Sequence, residues 1–415
     1  VQSGQNHSPI AYFCYYLALP LQRPSPLSTG DWSQQEKNTK IKRRNFTMYI
    51  NFWYPICTSE ELTTEAPKLV ELLGVRLATF RDSTGTAQVL SDTCVHRGGS
   101  LSQGKIEGDS VTCAYHGWSF DGSGKCTKIP QIKDGKIPAR AKVDAYPVHE
   151  AYGVVFAFLG DAPESERPPV PLVEEWDQEG WRCTGPIVFE IDAYYERSIE
   201  NGMDPLHNEF VHPNQGAPAL DQNDIELKDQ EWGAWFDAKF GAYTQAENRK
   251  KITDSDDSAK DLHAGSWHIG PNHLMTGIHL MNNISFIQYF FEAPISKGRT
   301  RIFFLNSRNT TLEESADEYI NKTLMGIAIE DKNVIEHLRP RNTPDTLTKE
   351  LLLPGDEAVV RYRQYLKTWE EKGWRIDMHA LGENNEDSAL AIPSPGRRES
   401  KSWVLDTVPL VPAKP

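Results

Sequence analysis

The sequence predicts an α+β chain, with a small all-β domain first and a larger domain mixing strands with helices after it. Three observations support this order. The 415 residues, 46.9 kDa, exceed what one hydrophobic core usually organises, which favours two domains. From Met48 to about Gly160 the pattern is short strand-like runs separated by Gly, Asp and Ser clusters. Beyond residue 173, strand-like runs mix with runs of helical period.

In chain order, residues 1–47 form a tail rich in Ser, Pro, Gln and Asn that ends in the basic run Lys40, Lys42, Arg43, Arg44. Its longest apolar stretch, Ile10 to Leu21, is broken by Pro20 and is too short to span a bilayer. Arg23 is the first cation, so no basic residue precedes that stretch and a secretory signal fits poorly. Strands are expected at Val75–Phe80, Ala87–Leu90 and Val154–Leu159, with a turn at Asp121-Gly122-Ser123-Gly124. Residues 161–173 hold four prolines among charges and read as a linker. Further strand-like runs follow at Gly185–Tyr195, Glu231–Tyr243, His279–Glu292 and Thr300–Ser307, and helices at Asp317–Leu338 and Asp356–Trp374. The alternation Ile284-Ser285-Phe286-Ile287-Gln288-Tyr289-Phe290-Phe291 suits a core strand, one of whose faces is also suited to lining an apolar pocket. Past about residue 382 periodicity is lost and an extended arm is expected. The resulting divisions are 1–47, 48–162, 163–382 and 383–415.

A net charge of −14 argues against nucleic-acid binding, and six cysteines are too sparse for a disulfide scaffold. A soluble, cytoplasmic protein is expected, without a membrane partner.

Two constellations carry chemistry. In the first, Cys94-Val95-His96 is followed by Cys113-Ala114-Tyr115-His116, with Gly98, Gly99 and Gly117 letting the backbone bend around something bulky. Two thiolates and two imidazoles suit either zinc or a [2Fe–2S] cluster. Each pair mixes Cys with His, whereas common zinc spacings keep like ligands together. Cys94-Val95-His96-Arg97-Gly98-Gly99 and Cys113-Ala114-Tyr115-His116-Gly117-Trp118 resemble the two cluster loops of a Rieske domain. The resemblance implies that Cys94 and Cys113 bind one iron and His96 and His116 the other, with Tyr115 and Trp118 shielding the cluster. Cys14, Cys57, Cys126 and Cys183 read as free or buried thiols.

The second constellation is Asn201-x-x-Asp204-x-x-His207-x4-His212. The two histidines are about 140° apart on an ideal helix, so both reach one metal only if the helix is kinked or bulged, for instance at Pro205. The pattern resembles the mononuclear-iron motif of Rieske non-haem iron oxygenases. That family completes its facial triad with a carboxylate. Neighbouring Glu330 and Asp331 are the candidates. Asp331 falls within the apolar stripe Ile320, Leu324, Ile327, Val334, Ile335, Leu338, while Glu330 shares a more polar face with Thr323, Gly326, Asn333 and His337. A carboxylate on a buried stripe is costly unless paired or metal-bound, which favours Asp331. The resemblance further implies that Asp204 links His116 of one chain to His207 of the next, and that Asn201 lies near the iron. His263, His268, His273 and His279 match no metal spacing and read as strand and loop residues.

Together the two resemblances imply an antiparallel Rieske [2Fe–2S] domain followed by a helix-grip catalytic domain, the α subunit of a terminal oxygenase. A cluster would pass electrons to mononuclear Fe(II), which activates O2 against a small aromatic or methylated organic substrate. Monooxygenation or demethylation is favoured over ring cis-dihydroxylation, and a Rieske electron-transfer protein is the non-enzyme alternative. A homo-oligomer, a trimer, is implied. No glycine fingerprint for a dinucleotide follows a strand, so a separate ferredoxin or NAD(P)H-dependent reductase is expected as donor. The run Lys125, Lys128, Lys133, Lys136, Arg140, Lys142 is a candidate dock for it.

Overall fold

A computed structural model of the chain describes residues 47–414, apart from 134, 213–219, 241–261, 281–282, 345 and 385–387. Cys14, the apolar stretch 10–21 and the basic run 40–44 lie outside the described residues. The tail expected from the sequence runs through residue 47, but Thr47 is already buried, hydrogen-bonded to Tyr194 and Glu196.

The short runs of the first half become β1 (Met48–Tyr49), β2 (Phe52–Thr58), β3 (Lys68–Leu72), β4 (Val75–Arg81), β5 (Ala87–Ser91), β6 (Lys105–Glu107), β7 (Ser110–Thr112), β8 (Ser119–Asp121), β9 (Cys126–Lys128), β10 (Ala145–Tyr146), β11 (Val148–Ala151) and β12 (Val154–Leu159). Strands β2–β12 pair antiparallel in three small sheets, ordered β10-β5-β4-β3, β11-β12-β2 and β6-β7-β8-β9. The last of these carries the cysteine–histidine loops, one leading from β5 towards β6 and the other joining β7 to β8.

One antiparallel sheet organises the second half. Its strands are β13 (Arg182–Ile191), β14 (Leu220–Gln230), β15 (Gly233–Phe240), β16 (Leu262–Ile269), β17 (His273–His279), β18 (Ser285–Ser296) and β19 (Arg299–Arg308), in the order β13-β19-β18-β17-β16-β15-β14. The run His279–Glu292 is therefore not one strand. The chain reverses between β17 and β18, with Asn283 at φ 61°, a conformation that Asn tolerates better than most side chains. Likewise Gly185–Tyr195 ends as strand at Ile191, and Tyr195 opens a helix. The sequence pattern does not anticipate β14, β16 or β17 as strands. His263 and His268 sit in β16 and His273 and His279 in β17, in keeping with a strand reading of these histidines.

Helices α1 (Tyr195–Gly202), α2 (Asn208–Val211) and α3 (Asp317–Ile335) bear the second constellation, and α4 (Glu357–Glu371) packs on β15. α3 starts where the sequence indicates and stops three residues earlier than expected. Its buried face is Leu324, Ala328 and Ile335, at helical steps of four and seven, with Asp331 between the last two. Val334 is 40% exposed, so it does not belong to that stripe.

The two halves share one apolar core. Phe52 of β2 meets Trp369 of α4 edge-on at 4.8 Å, and Phe156 of β12 meets Phe291 of β18 at 5.0 Å. β1 pairs with β20 (Arg375–Ile376) across most of the chain's length. The arm beyond 383 packs back on the first half. There the buried Asp144 accepts from Ser394 Oγ at 2.7 Å and from Arg397 at 2.8 and 2.7 Å, a bidentate pairing that holds the arm by charge-assisted bonds. Among the described residues no helix is long and apolar enough to cross a membrane.

Candidate functional site

The cluster loops are two copies of one turn. In each, the cysteine carbonyl accepts from the glycine four residues on, Gly98 and Gly117, at 3.0 Å, and each glycine has φ near +70°. That left-handed conformation costs an L side chain about 1 kcal/mol or more, which is why glycine stands there. Gly99 answers a different need: a Cβ on it would lie 2.8 Å from Cys113 Sγ. Cys94 and Cys113 are buried side by side, and burial, then the neighbouring thiol, pushes Cys94 up to about 12. An iron bound there would reverse this, because a coordinated thiol is deprotonated outright. The imidazoles of His96 and His116 lie 4.3 Å apart at the surface, His96 exposed and His116 half-buried. Trp118 stacks on His96 at 4.6 Å. Tyr115, expected to shield the cluster, is 58% exposed at the loop tip, its ring beneath the Arg97 guanidinium at 5.7 Å. Cys57 and Cys126 are buried free thiols and Cys183 is a half-buried one.

The second site depends on a broken helix. α1 ends at Gly202, whose missing Cβ makes room for Leu274 of β17; a Cβ there would sit 2.1 Å from Leu274 Cδ2. Pro205 disfavours helix at Asp204, and α2 restarts at Asn208 for a single turn. His207 and His212 thus occupy the two ends of a one-turn helix, and their rings approach to 5.3 Å between centroids. The irregularity demanded by their spacing is this break.

Each histidine has one nitrogen committed. His207 Nδ1 donates to the Asp204 carbonyl at 2.5 Å, and His212 Nδ1 donates to Glu330 Oε2 at 2.9 Å. Both Nε2 atoms then converge on Asp331 Oδ1, at 3.4 Å from His207 and 3.1 Å from His212. Fixing one ring nitrogen sets the tautomer that presents the other to a metal. Among the described residues, His207, His212 and Asp331 are the one group of three or more ligating side chains whose donor atoms lie within 4.8 Å of one another. Burial alone would raise the Asp331 carboxyl, but the bonded imidazoles of His207 and His212 outweigh it and hold the group far below the carboxylate range. Burial would lower His212, and Asp331 and Glu330 reverse that too. A donor set of two neutral imidazoles and one carboxylate on one side of a cavity fits a divalent iron with open positions.

Asn201 steadies the carboxylate of this group, its Nδ2 donating to Asp331 Oδ1 at 2.9 Å. Glu330, by sequence only the weaker ligand candidate, orients His212. The signal that pointed to it is a second carboxylate beside Asp331. Asp204 meets His207 through its carbonyl; its carboxylate Oδ2 is 3.9 Å from Nδ1, because Oδ1 accepts from Leu206 N at 2.7 Å in a local turn. Burial pushes the Asp204 carboxyl up.

The group of His207, His212 and Asp331 opens on a cavity of about 440 Å³ between α1, α3 and the sheet. Strand β18 resolves the core-or-pocket alternative by using both faces: Phe286, Gln288 and Phe290 line the cavity while Ile287, Tyr289 and Phe291 are in the core.

Residues 52–147 match the Rieske [2Fe-2S] domain, and residues 191–372 match the vanillate O-demethylase oxygenase C-terminal domain. The first match removes the zinc alternative for the Cys/His loops. Over 354 residues the chain is 26% identical to the methylxanthine N1-demethylase of Pseudomonas putida, covering 83% of this chain and 93% of that one. It is 31% identical over 170 residues to the 5,5'-dehydrodivanillate O-demethylase oxygenase subunit of Sphingobium sp., 39% of this chain and 38% of that one. It is 33% identical over 191 residues to the tert-butanol monooxygenase / tert-amyl alcohol desaturase oxygenase subunit of Aquincola tertiaricarbonis, 46% of this chain and 39% of that one. The match to these last two spans about two fifths of each relative's length. In fold, dicamba monooxygenase bound to 3,6-dichlorosalicylic acid superposes with a TM-score of 0.67 at 23% identity, covering 79% of this chain and 98% of that one. With a Rieske [2Fe–2S] module leading into this oxygenase module, the chain belongs to the Rieske non-haem iron oxygenases.

Proposed function

We propose that the protein is a terminal oxygenase that monooxygenates or demethylates a small organic molecule. The observation that carries this reading is the convergence of His207 Nε2, His212 Nε2 and Asp331 Oδ1 on one side of an apolar cavity, each ring held by its Nδ1 partner. In this reading Cys94 and Cys113 hold one iron of the cluster and His96 and His116 the other, within a cluster domain at 48–162. His207, His212 and Asp331 hold Fe(II) in a catalytic domain at 163–382, and 383–415 is an arm. Iron held there would supply open coordination positions for O2, and the cluster would supply the electrons. Asn201 steadies Asp331, Glu330 and the Asp204 carbonyl steady the imidazoles, and the apolar wall keeps water from the reacting atoms. The demethylases and monooxygenases among the matched relatives support insertion of one oxygen.

The same proposal includes a homotrimer, in which Asp204 joins His116 of one chain to His207 of the next, a separate ferredoxin or reductase as donor, and a cytoplasmic location. The exposure of His96 at the surface supports delivery of electrons outside its own chain. Purified protein should contain about three irons per chain, two of them with sulfide. With a methyl-substituted aromatic substrate, labelled O2 should enter the alcohol formed at the methyl carbon; with a methoxy-substituted one, the phenol should keep its own oxygen while formaldehyde is released in equal amount. Zinc in place of iron, or an alcohol labelled from water alone, would end the reading.

A further inference from the structure

The face of β18 that lines the cavity continues past the cavity's end. Phe286, Gln288 and Phe290 line the cavity, and Glu292 is the next side chain on that face. Its place in the strand is fixed by Asn272: the Glu292 N–H donates to the Asn272 carbonyl at 2.9 Å, and the Glu292 carbonyl accepts from Asn272 Nδ2 at 3.0 Å. The residue paired with it on β19 is Ile302, which lines the cavity. Helix α1 lies across this end of the strand. Gly202 meets Leu274, the partner of Phe290, and Ser198, one turn earlier, comes near the Glu292 carboxyl. Ser198 itself lines the cavity. Its hydroxyl therefore stands between an enclosed carboxyl group and the space in which O2 and substrate would meet.

Glu292 is fully buried, and neither carboxyl oxygen has a hydrogen bond of normal length. The ionisable groups around it are Glu196, Arg197 and Glu200 of α1 and Tyr362 and Arg363 of α4, and each has another partner. Both arginines hold Glu200 and Glu350, Glu196 accepts from Thr47, and Tyr362 donates to the Pro271 carbonyl at 2.8 Å. His273 of β17 packs instead against the rings of Phe156 and Phe291. A carboxylate enclosed without a countercharge is costly, whereas the protonated acid is much less so. Burial accordingly pushes the Glu292 carboxyl up to about 8, with the Ser198 hydroxyl opposing the rise. Fe(II) on His207, His212 and Asp331 would leave one net positive charge in the cavity and draw the group back toward neutrality. That is the range in which a donor both keeps and releases a proton.

Resting on the oxygenase reading above, we propose that Glu292 supplies a proton to the cavity through the Ser198 hydroxyl while O2 is reduced there. Inserting one oxygen atom into a C–H bond and releasing the other as water takes two electrons and two protons. The external donor supplies the electrons, Glu292 gives one proton and cavity water the other. Ser198 Oγ releases its proton on the cavity side as it takes the carboxyl proton, so the Glu292 O–H bond breaks and a carboxylate remains. Water entering after the product leaves returns the proton by the same route. Glu292 acts through Ser198 and does not itself touch substrate.

The test has two arms, both on the full-length holoprotein. Infrared difference spectra between about pH 6 and 9, taken on oxidised enzyme without substrate, should show a carboxylic acid C=O band that disappears as pH rises. Glu292→Gln should lack this band, and Ser198→Ala should keep it at a shifted frequency. In the second arm, prereduced enzyme is mixed with O2 and reoxidation is followed by the visible absorbance of the cluster. Both variants should slow reoxidation at least about tenfold and lose the parent's fall in rate above the pH at which the band disappears. Cluster absorbance and melting temperature should stay those of the parent. Ser198→Thr keeps the hydroxyl and should recover most of the rate. If Glu292→Gln does not fold, Ser198→Ala decides alone, because it leaves Glu292 in place. No such band in the parent, the same band in Glu292→Gln, or variants with the parent's rate and pH profile would each overturn the inference and leave the oxygenase reading standing. A parent whose reduced mononuclear iron does not react with O2 at all ends both.

Discussion

Glu330 and Asp331 are adjacent on α3 and address the same imidazole from two sides. Asp331 faces His212 Nε2 at 3.1 Å, and Glu330 holds Nδ1 at 2.9 Å. Their removal should therefore differ in kind. Asp331→Ala takes away a proposed ligand and should abolish both mononuclear iron and turnover, with the visible cluster spectrum unchanged. Glu330→Ala loosens the ring that a ligand sits on and should weaken iron about 10–100-fold, with turnover recovering under excess Fe(II). Iron titration monitored by single-turnover product yield distinguishes the two, and reversed phenotypes would overturn the assignment of roles. Helical period expects Asp331 on the buried face, and it does lie between buried Ala328 and Ile335, although one residue counted into that stripe, Val334, faces outward.

At the scale of elements, the site rests on how closely α1 lies against β17. Gly202 is the contact point, and its replacement by any residue with a Cβ collides with Leu274. Gly202→Ala should push the end of α1 outward, displacing Asn201 and the turn that carries His207. Overpacking of this sort costs typically about 1–3 kcal/mol. Both the melting temperature and iron affinity should fall, and Leu274→Ala in the same chain should restore iron affinity by vacating the space. If the double variant binds iron no better than Gly202→Ala alone, the loss does not come from this contact. Below α1, Glu200 bonds both Arg197 and Arg363, and Glu350 closes the ring with the same two arginines, so α1 is tied to α4 by paired charges in a buried setting. Such a ring is destabilising to break by one member, because it leaves a buried charge unpaired.

The whole molecule adds the question of electron delivery. Asp204→Asn keeps an acceptor for Leu206 N, so the turn should persist and both metals should load. Reduction of the mononuclear iron should slow about tenfold, since the proposed tie to His116 of a neighbouring chain loses its charge. Normal reduction rates in that variant, or full activity in a strictly monomeric enzyme, would remove the bridge. On the donor side, residues 48–150 hold 11 Lys and Arg against 12 Asp and Glu, so this region is nearly neutral in a chain of −14. Lys125, Lys133, Lys136 and Arg140 are exposed, while Lys128 is 3.6 Å from Glu107 and Lys142 is half-buried over Trp403 at 4.2 Å; Asp134 lies outside the described residues. Gln131 ties this loop to the second cluster turn, donating to the His116 carbonyl at 3.0 Å and accepting from Trp118 Nε1 at 3.2 Å. Reversing Lys133 and Lys136 to Glu should lower the donor-dependent rate at low salt and leave single-turnover yield from prereduced enzyme unchanged. Equal loss in both assays would dispose of the dock.

Much of this protein is determined locally and can be read from the chain. The Cys-x-His and Cys-x-x-His turns need glycine at set positions because the backbone enters the left-handed region there, and the break after Gly202 follows from Pro205. The choice of Asp331 follows from helical period and the cost of burying a carboxylate. Other features arise only when distant segments meet. Glu292 reads as an ordinary strand residue until α1 packs over β18 and leaves it buried behind Ser198. Glu330 becomes the partner of His212 only where α3 packs against the broken helix. Whether a face of β18 lines a cavity or a core is likewise undecided by alternation, which is the same for both. Only the sheet's closure against α1 and α3 places one face on each.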